Sequence, residues 1–125
     1  MKLIKVKADE QLLAYVDTDD LLDLEKPLVE QKAKVIDALR RSLTVPETRR
    51  IISEWQRVTR NRWCFGNFYA QNGEELHATL IHAFTADGAA TWLKAAGIPG
   101  IRFHNDNGGL EVIRYDLDSG RRATN

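Results

Sequence analysis

The stretch from Ala86 to Asp116 limits the possible folds more than any other part of the chain. Thr85 reads as the cap of a short helix, Ala86 to Ala96, whose Ala89, Ala90, Trp92 and Leu93 allow close packing. Gly97 supplies a left-handed stop, and Pro99 bars continuation of the helix. Beyond Gly100, Ile101 and Phe103 alternate with Arg102 and His104, the period of a strand with one buried face. Leu110, Val112, Ile113 and Tyr115 carry a return strand. Asn107-Gly108 between them predicts a two-residue type I′ turn, since both residues tolerate positive φ. A helix feeding directly into an antiparallel hairpin points to an α+β domain.

Upstream, two more helices are legible. Pro27 suits a first helical turn, and Leu28, Val35, Ile36, Leu39 and Leu43 form a stripe at helical spacing, predicting a helix from Pro27 to about Leu43. Thr44-Val45-Pro46-Glu47 has the form of a capping box and opens a second helix to about Arg62, with Ile51, Ile52, Trp55, Val58 and Thr59 as its buried face. Asn72 and Glu75 make a similar pair at the start of a third, whose face is Leu76, Leu80, Ala83 and Phe84. Lys2 to Lys7 alternates loosely and reads as an edge strand guarded by lysines, with Leu12 to Val16 as a second short strand. The expected architecture is three to four helices on a small, mostly antiparallel sheet with a C-terminal hairpin. It forms one domain over 1–118, followed by a flexible tail over 119–125.

Composition removes several function classes. Eighteen basic and eighteen acidic residues leave no formal net charge, so overall charge favours neither nucleic acid nor membrane as a partner. No apolar run approaches the roughly 18–20 residues of a bilayer span. The start, MKLIKVKADE, lacks the apolar core of a secretory signal. A single cysteine, Cys64, cannot build an intrachain disulfide and reads as a small buried hydrophobe. A cytoplasmic setting is the expectation.

Candidate chemistry is sparse. Asp17, Asp19, Asp20, Asp23 and Glu25 crowd one stretch but lack the glycine and terminal glutamate of an EF-hand loop, so no metal is expected there. His77 and His82 are five residues apart, about 140° round a helix, and cannot chelate one ion as an i, i+4 pair would. The second helix carries Arg49, Arg50, Arg57, Arg60 and Arg62 against Glu47 and Glu54, with Trp63, Phe65, Phe68 and Tyr69 just beyond. Cations beside rings are the pattern of a single-stranded nucleic-acid track. The plainer reading is a solvated helix face whose arginines pair with the acidic stretch. Arg49, Arg50, Arg57, Arg60 and Trp63 are the candidate partner-binding residues.

Two segments carry a family resemblance. Asp23-Leu24-Glu25-Lys26-Pro27-Leu28-Val29-Glu30-Gln31 is similar to a "LDWDKPLSEQ" motif. Asn72-Gly73-Glu74-Glu75-Leu76, Gly88-Ala89-Ala90 and Ala96-Gly97-Ile98-Pro99-Gly100-Ile101-Arg102-Phe103 are similar to "TGEDLY…GS.KAASE.L...GIPGIRY". In this order the motifs resemble the C-terminal half of the ADP-ribosyltransferase-like domain of phage and prophage polyvalent proteins. The family's "HGSP" and "GLYFA" strands, which hold NAD, have no counterpart here, and its "YLDGGSR" loop is replaced by Phe103-His104-Asn105-Asp106-Asn107-Gly108-Gly109.

The resemblance implies a phage or prophage accessory protein in a bacterial host cell. It would act without catalysis or cofactor by binding a protein, as an inhibitor of a host defence such as CRISPR would. The alternative it implies is an ADP-ribosyltransferase, active or degenerate, that binds NAD. Asp106 or Glu111 would then stabilise the positive charge on the ribose as nicotinamide leaves, with His104 the third candidate catalytic residue. On the residues alone, a nucleic-acid binder or nuclease is a further alternative, with His77, His82 and His104 as its general-base candidates.

Overall fold

The computed structural model describes residues 3–9, 12–63, 71–115 and 122–124, with backbone alone for 3–17 and 122–124. The readings made above for Cys64, Phe65, Phe68, Tyr69 and Asp116 lie outside those residues. Six strands, β1 (Leu3–Asp9), β2 (Leu12–Asp17), β3 (Leu22–Asp23), β4 (Gly100–His104), β5 (Leu110–Arg114) and β6 (Arg122–Thr124), form one sheet in the order β2-β1-β6-β5-β4-β3. Every pairing is antiparallel except β3 with β4. Three helices accompany it: α1 (Ala33–Ser42), α2 (Val45–Thr59) and α3 (Gly73–Ala96). The class is α+β, with the hairpin β4–β5 where the sequence places it. β1 is not the edge strand, because β2 lies outside it and β6 pairs on its other side. β6 falls within the stretch expected to be a tail.

One core joins the layers. Val35, Ala38 and Leu39 of α1, Ile51 of α2, and Leu76, Leu80, Ala89 and Leu93 of α3 meet Leu22 and Ile101 of the sheet, all essentially buried. Each such leucine or isoleucine contributes about 1.5–3 kcal/mol by leaving water. Register sorts the hairpin's two faces. Ile101 opposes Ile113 and Phe103 opposes Glu111, and this face carries the core residues. Arg102, His104, Val112 and Arg114 point to the other face, because successive strand residues alternate.

The expected Pro27–Leu43 helix is two pieces. Leu28–Glu30 is a single 3₁₀ turn, Gln31 and Lys32 are extended, and α1 begins at Ala33. Gln31 is the reason, because its buried side chain is committed to the preceding loop. Its Oε1 accepts from Asp23 N–H at 2.9 Å, and its Nε2 donates to the carbonyls of Asp23 (2.8 Å) and Lys26 (3.0 Å). A helical backbone at Gln31 would swing the amide away from all three.

The same loop completes the start of α3. Gly73 N–H donates to Lys26 O and Glu74 N–H to Leu24 O, both at 2.9 Å. Asn72 and Glu75 form the full capping box foreseen from sequence, with Glu75 N–H on Asn72 Oδ1 at 2.8 Å. The N–H groups that a helix start leaves without intrahelical partners are thereby satisfied. At α2 the box is half formed. Thr44 Oγ1 accepts from Glu47 N–H, while the Glu47 carboxylate takes Arg50 and Trp92 Nε1 instead. α2 stops at Thr59, three residues before the expected end, because Arg60 turns left-handed at φ 60°. Val58, expected inside, is 47% exposed although it lies only about 20° round the helix from Ile51, one residue from the end of α2.

Thr85 breaks α3, as its sequence role implies, with φ 74° and ψ 171° and its Oγ1 accepting from Gly88 N–H. That conformation is nearly reserved for glycine and costs a threonine about 1–3 kcal/mol. Glycine gives up only a few tenths of a kcal/mol as a cap. Thr85→Gly is therefore expected to stabilise the fold by about 1 kcal/mol, seen as a higher urea midpoint. A lower midpoint would mean that the hydroxyl cap outweighs the strain.

The hairpin turn differs from the expected type I′. Asn107 is not at positive φ, and Gly108 alone is, at 80°. Asn105 organises the loop: its carbonyl accepts from Gly108 N–H, its N–H donates to Gly109 O, and its Oδ1 accepts from Asn107 and Gly109 N–H. This is a type I turn closed by a left-handed glycine, the usual three-residue hairpin loop.

Candidate functional site

The face of the hairpin turned away from Ile101 and Phe103 carries a row of three basic side chains, each against a carboxylate. Arg102 meets Asp23 at 3.7 Å, His104 Nδ1 meets Glu25 Oε1 at 2.5 Å, and Arg114 meets Asp20 at 3.6 Å. Alternation along β4 and β5 puts the three side chains on one side, and the parallel pairing of Asp23 with Arg102 brings the acidic loop over them. Asp20, Asp23 and Glu25 of the acidic stretch thus meet side chains of the sheet rather than the arginines of α2. A cleft of about 300 Å³ lies here, lined by Asp23, Glu25, Lys26, Lys32, Arg102 and His104 among others.

The three candidate catalytic residues do not converge. His104 sits in this cleft, and its bond to Glu25 orients the imidazole as a carboxylate orients a catalytic histidine. Glu111 is buried on the opposite face of the sheet, opposite Phe103. Asp106 is exposed in the hairpin turn. An ADP-ribosyl transfer site needs its acid beside the bound sugar, and these positions offer one acid buried under the sheet and one exposed in the turn.

The arginines of α2 divide into two groups. Arg50 donates from Nε to Glu47 at 2.7 Å and lies over the Phe84 ring, 4.7 Å from its centroid. Arg57 pairs with Glu54 one turn back, which holds the Glu54 carboxyl below its usual range and raises the guanidinium. Trp63 is half-buried and stacks edge-on against Trp55 at 5.2 Å, which makes it part of the core margin. Arg49 and Arg60 are exposed, and neither faces a carboxylate among the described residues. With Ser53 and Gln56, Arg49 forms an i, i+4, i+7 stripe opposite Ile51 and Trp55, and Arg60, the left-handed cap, follows at the end of the helix. Val45, 65% exposed, borders the stripe at the helix start.

Comparison with known protein families, characterised proteins and solved structures finds no significant match. The likeness to the phage polyvalent proteins therefore rests on the quoted motifs alone. Most of them coincide with backbone features: the Asp23–Gln31 clasp, the cap at Asn72 and the stop at Gly97. No helix among the described residues is long and apolar enough to cross a membrane, and no group of three or more metal-ligating side chains occurs among them.

Sequence reasoning passed over a second cleft, of about 490 Å³, between α3 and β5. His77 and Tyr115 form its inner polar pair, with Tyr115 Oη and His77 Nε2 3.4 Å apart. The signal was weak because 38 residues separate them. Burial keeps the His77 imidazole neutral by lowering its pKa below the ordinary 6.5, and pushes the Tyr115 phenol up to about 12. The sign for stability follows. Below about pH 6.5 the unfolded chain binds a proton at His77 that the folded chain resists, so stability is full above that pH and declines as pH falls. In His77→Gln the dependence of the urea midpoint on pH between 7 and 5 should be shallower than in the parent. An unchanged slope would assign it to other groups.

Proposed function

We propose that this chain acts by binding a partner protein through α2, and that the partner presents an acidic surface. The supporting observation is the exposed stripe from Arg49 to Arg60. It has no carboxylate opposite it among the described residues, because the acidic loop is occupied by Arg102, His104 and Arg114. Guanidinium groups suit bidentate pairing with carboxylates, and the flanking Val45 adds the apolar contact that protein interfaces need. A nucleic acid would also meet cations, but the balanced net charge and the inward position of Trp63 favour a protein. The resemblance adds the setting: a phage or prophage accessory protein that blocks a host defence component by occupying it.

The test is retention of a bacterial protein from nuclease-treated host lysate at micromolar bait, comparing the parent with Arg49→Glu/Arg60→Glu. Both positions are exposed, so the double variant should fold. The expected result is a partner retained by the parent, released by salt and lost with the charge reversal. Equal retention by both baits, or none by the parent, would overturn the proposal. Capture that disappears on nuclease treatment would assign the stripe to nucleic acid instead.

A further inference from the structure

The cleft between α3 and β5 has a lining that selects a ligand class. Its inner wall is apolar, from Ile81 and Ala90 on the helix and Ile113 on the strand, all partly buried. Its inner polar edge is the His77–Tyr115 pair, which can both donate and accept. Its rim, Asp87, Thr91 and Lys94, is exposed and comes from one helix face at i, i+4, i+7. The Thr85 break lets the two halves of α3, each contributing lining residues, border the same space. This is the pattern of a small-molecule site: a mostly apolar slot with a few polar groups that fix orientation.

The position of charge narrows the ligand further. The inner groups are neutral, so a charged ligand group is held at the rim. Lys94 is the one cation among the described lining residues. Asp87 lies two helical turns away, about 10 Å along the axis, far enough not to oppose an anion seated at Lys94. Thr91 already donates its hydroxyl to Asp87 O, which leaves Lys94 as the rim's main donor.

We propose that this cleft binds a small aromatic carboxylic acid. Its ring would lie between Ile81, Ala90 and Ile113, its polar ring edge on the His77–Tyr115 pair, and its carboxylate on Lys94. This site is independent of the α2 stripe, and the two readings stand or fall separately.

The test is a two-dimensional NMR titration of the full chain with indole-3-acetate and its neutral analogue indole-3-acetamide. The proposal expects saturable shifts confined to residues near His77, Ala90, Lys94 and Tyr115, with the acid binding about fivefold more tightly than the amide, as an exposed ion pair allows. Lys94→Gln should abolish that preference while leaving amide binding intact. Tyr115→Phe should weaken both ligands. Thr91→Trp, at an exposed rim position that tolerates bulk, should block both, and Ala90→Leu should do so from inside. No saturable shift with either ligand, shifts elsewhere on the protein, a preference that survives Lys94→Gln, or binding that survives both blocking variants would overturn it.

Discussion

Gln31→Leu is expected to destabilise the protein by about 3 kcal/mol, one of the two largest effects of a single substitution proposed for this fold. The leucine fills the buried volume but leaves Asp23 N–H and the carbonyls of Asp23 and Lys26 without the amide that serves them. Each orphaned buried group costs about 1–3 kcal/mol. With a urea dependence of about 1.5 kcal/mol per molar, typical of a small domain, the midpoint should fall by about 2 M. Gln31→Glu separates hydrogen bonding from shape. Its carboxylate would face two carbonyls at neutral pH, yet protonation restores a donor. That variant should lose least, relative to the parent, in mildly acid solution. A loss below about 1 kcal/mol for Gln31→Leu would show that water replaces the clasp.

Gly73→Ala should invert an ordinary rule. Near a helix start, alanine normally improves on glycine by up to about 1 kcal/mol. Here a Cβ would lie 2.2 Å from Asp23 O and 2.9 Å from Leu24 Cα. Both obstacles are backbone, held by the hydrogen bonds from Gly73 and Glu74 to the same loop, so no rotamer change relieves them. The expected cost is about 3 kcal/mol, measured by thermal or urea unfolding. A neutral or stabilising result would mean that the loop withdraws from α3 at little cost.

Both predictions concern contacts the sequence did not show. Local chemistry was readable: the Asn72–Glu75 box, the Gly97 stop, and strands carrying Ile101, Phe103, Val112 and Ile113 all follow from neighbours within a few residues. Gln31 was not, since a glutamine within an apolar helical period looks like any exposed helix residue until a loop folds over it. The destination of the acidic stretch was hidden for the same reason. Glu25 and His104 are 79 residues apart, and only the parallel pairing of β3 with β4 brings them together. For the candidate sites, residue type was the guide and placement decided. His104, Asp106 and Glu111 are close in sequence, but strand alternation and the turn send them three ways. His77 was set aside as a metal ligand, yet it shares a cleft with Tyr115.

The strand order has a consequence for self-association. At one end of the sheet, β3 is two residues long, and its loop is occupied by Gln31 and the start of α3. A peptide has almost no free backbone there to pair with. At the other end, β2 runs for six residues and, among the described residues, pairs with β1 alone. Among the described strands, β2 is therefore the edge from which strand addition, by a copy of the protein or an extended segment of another chain, would proceed.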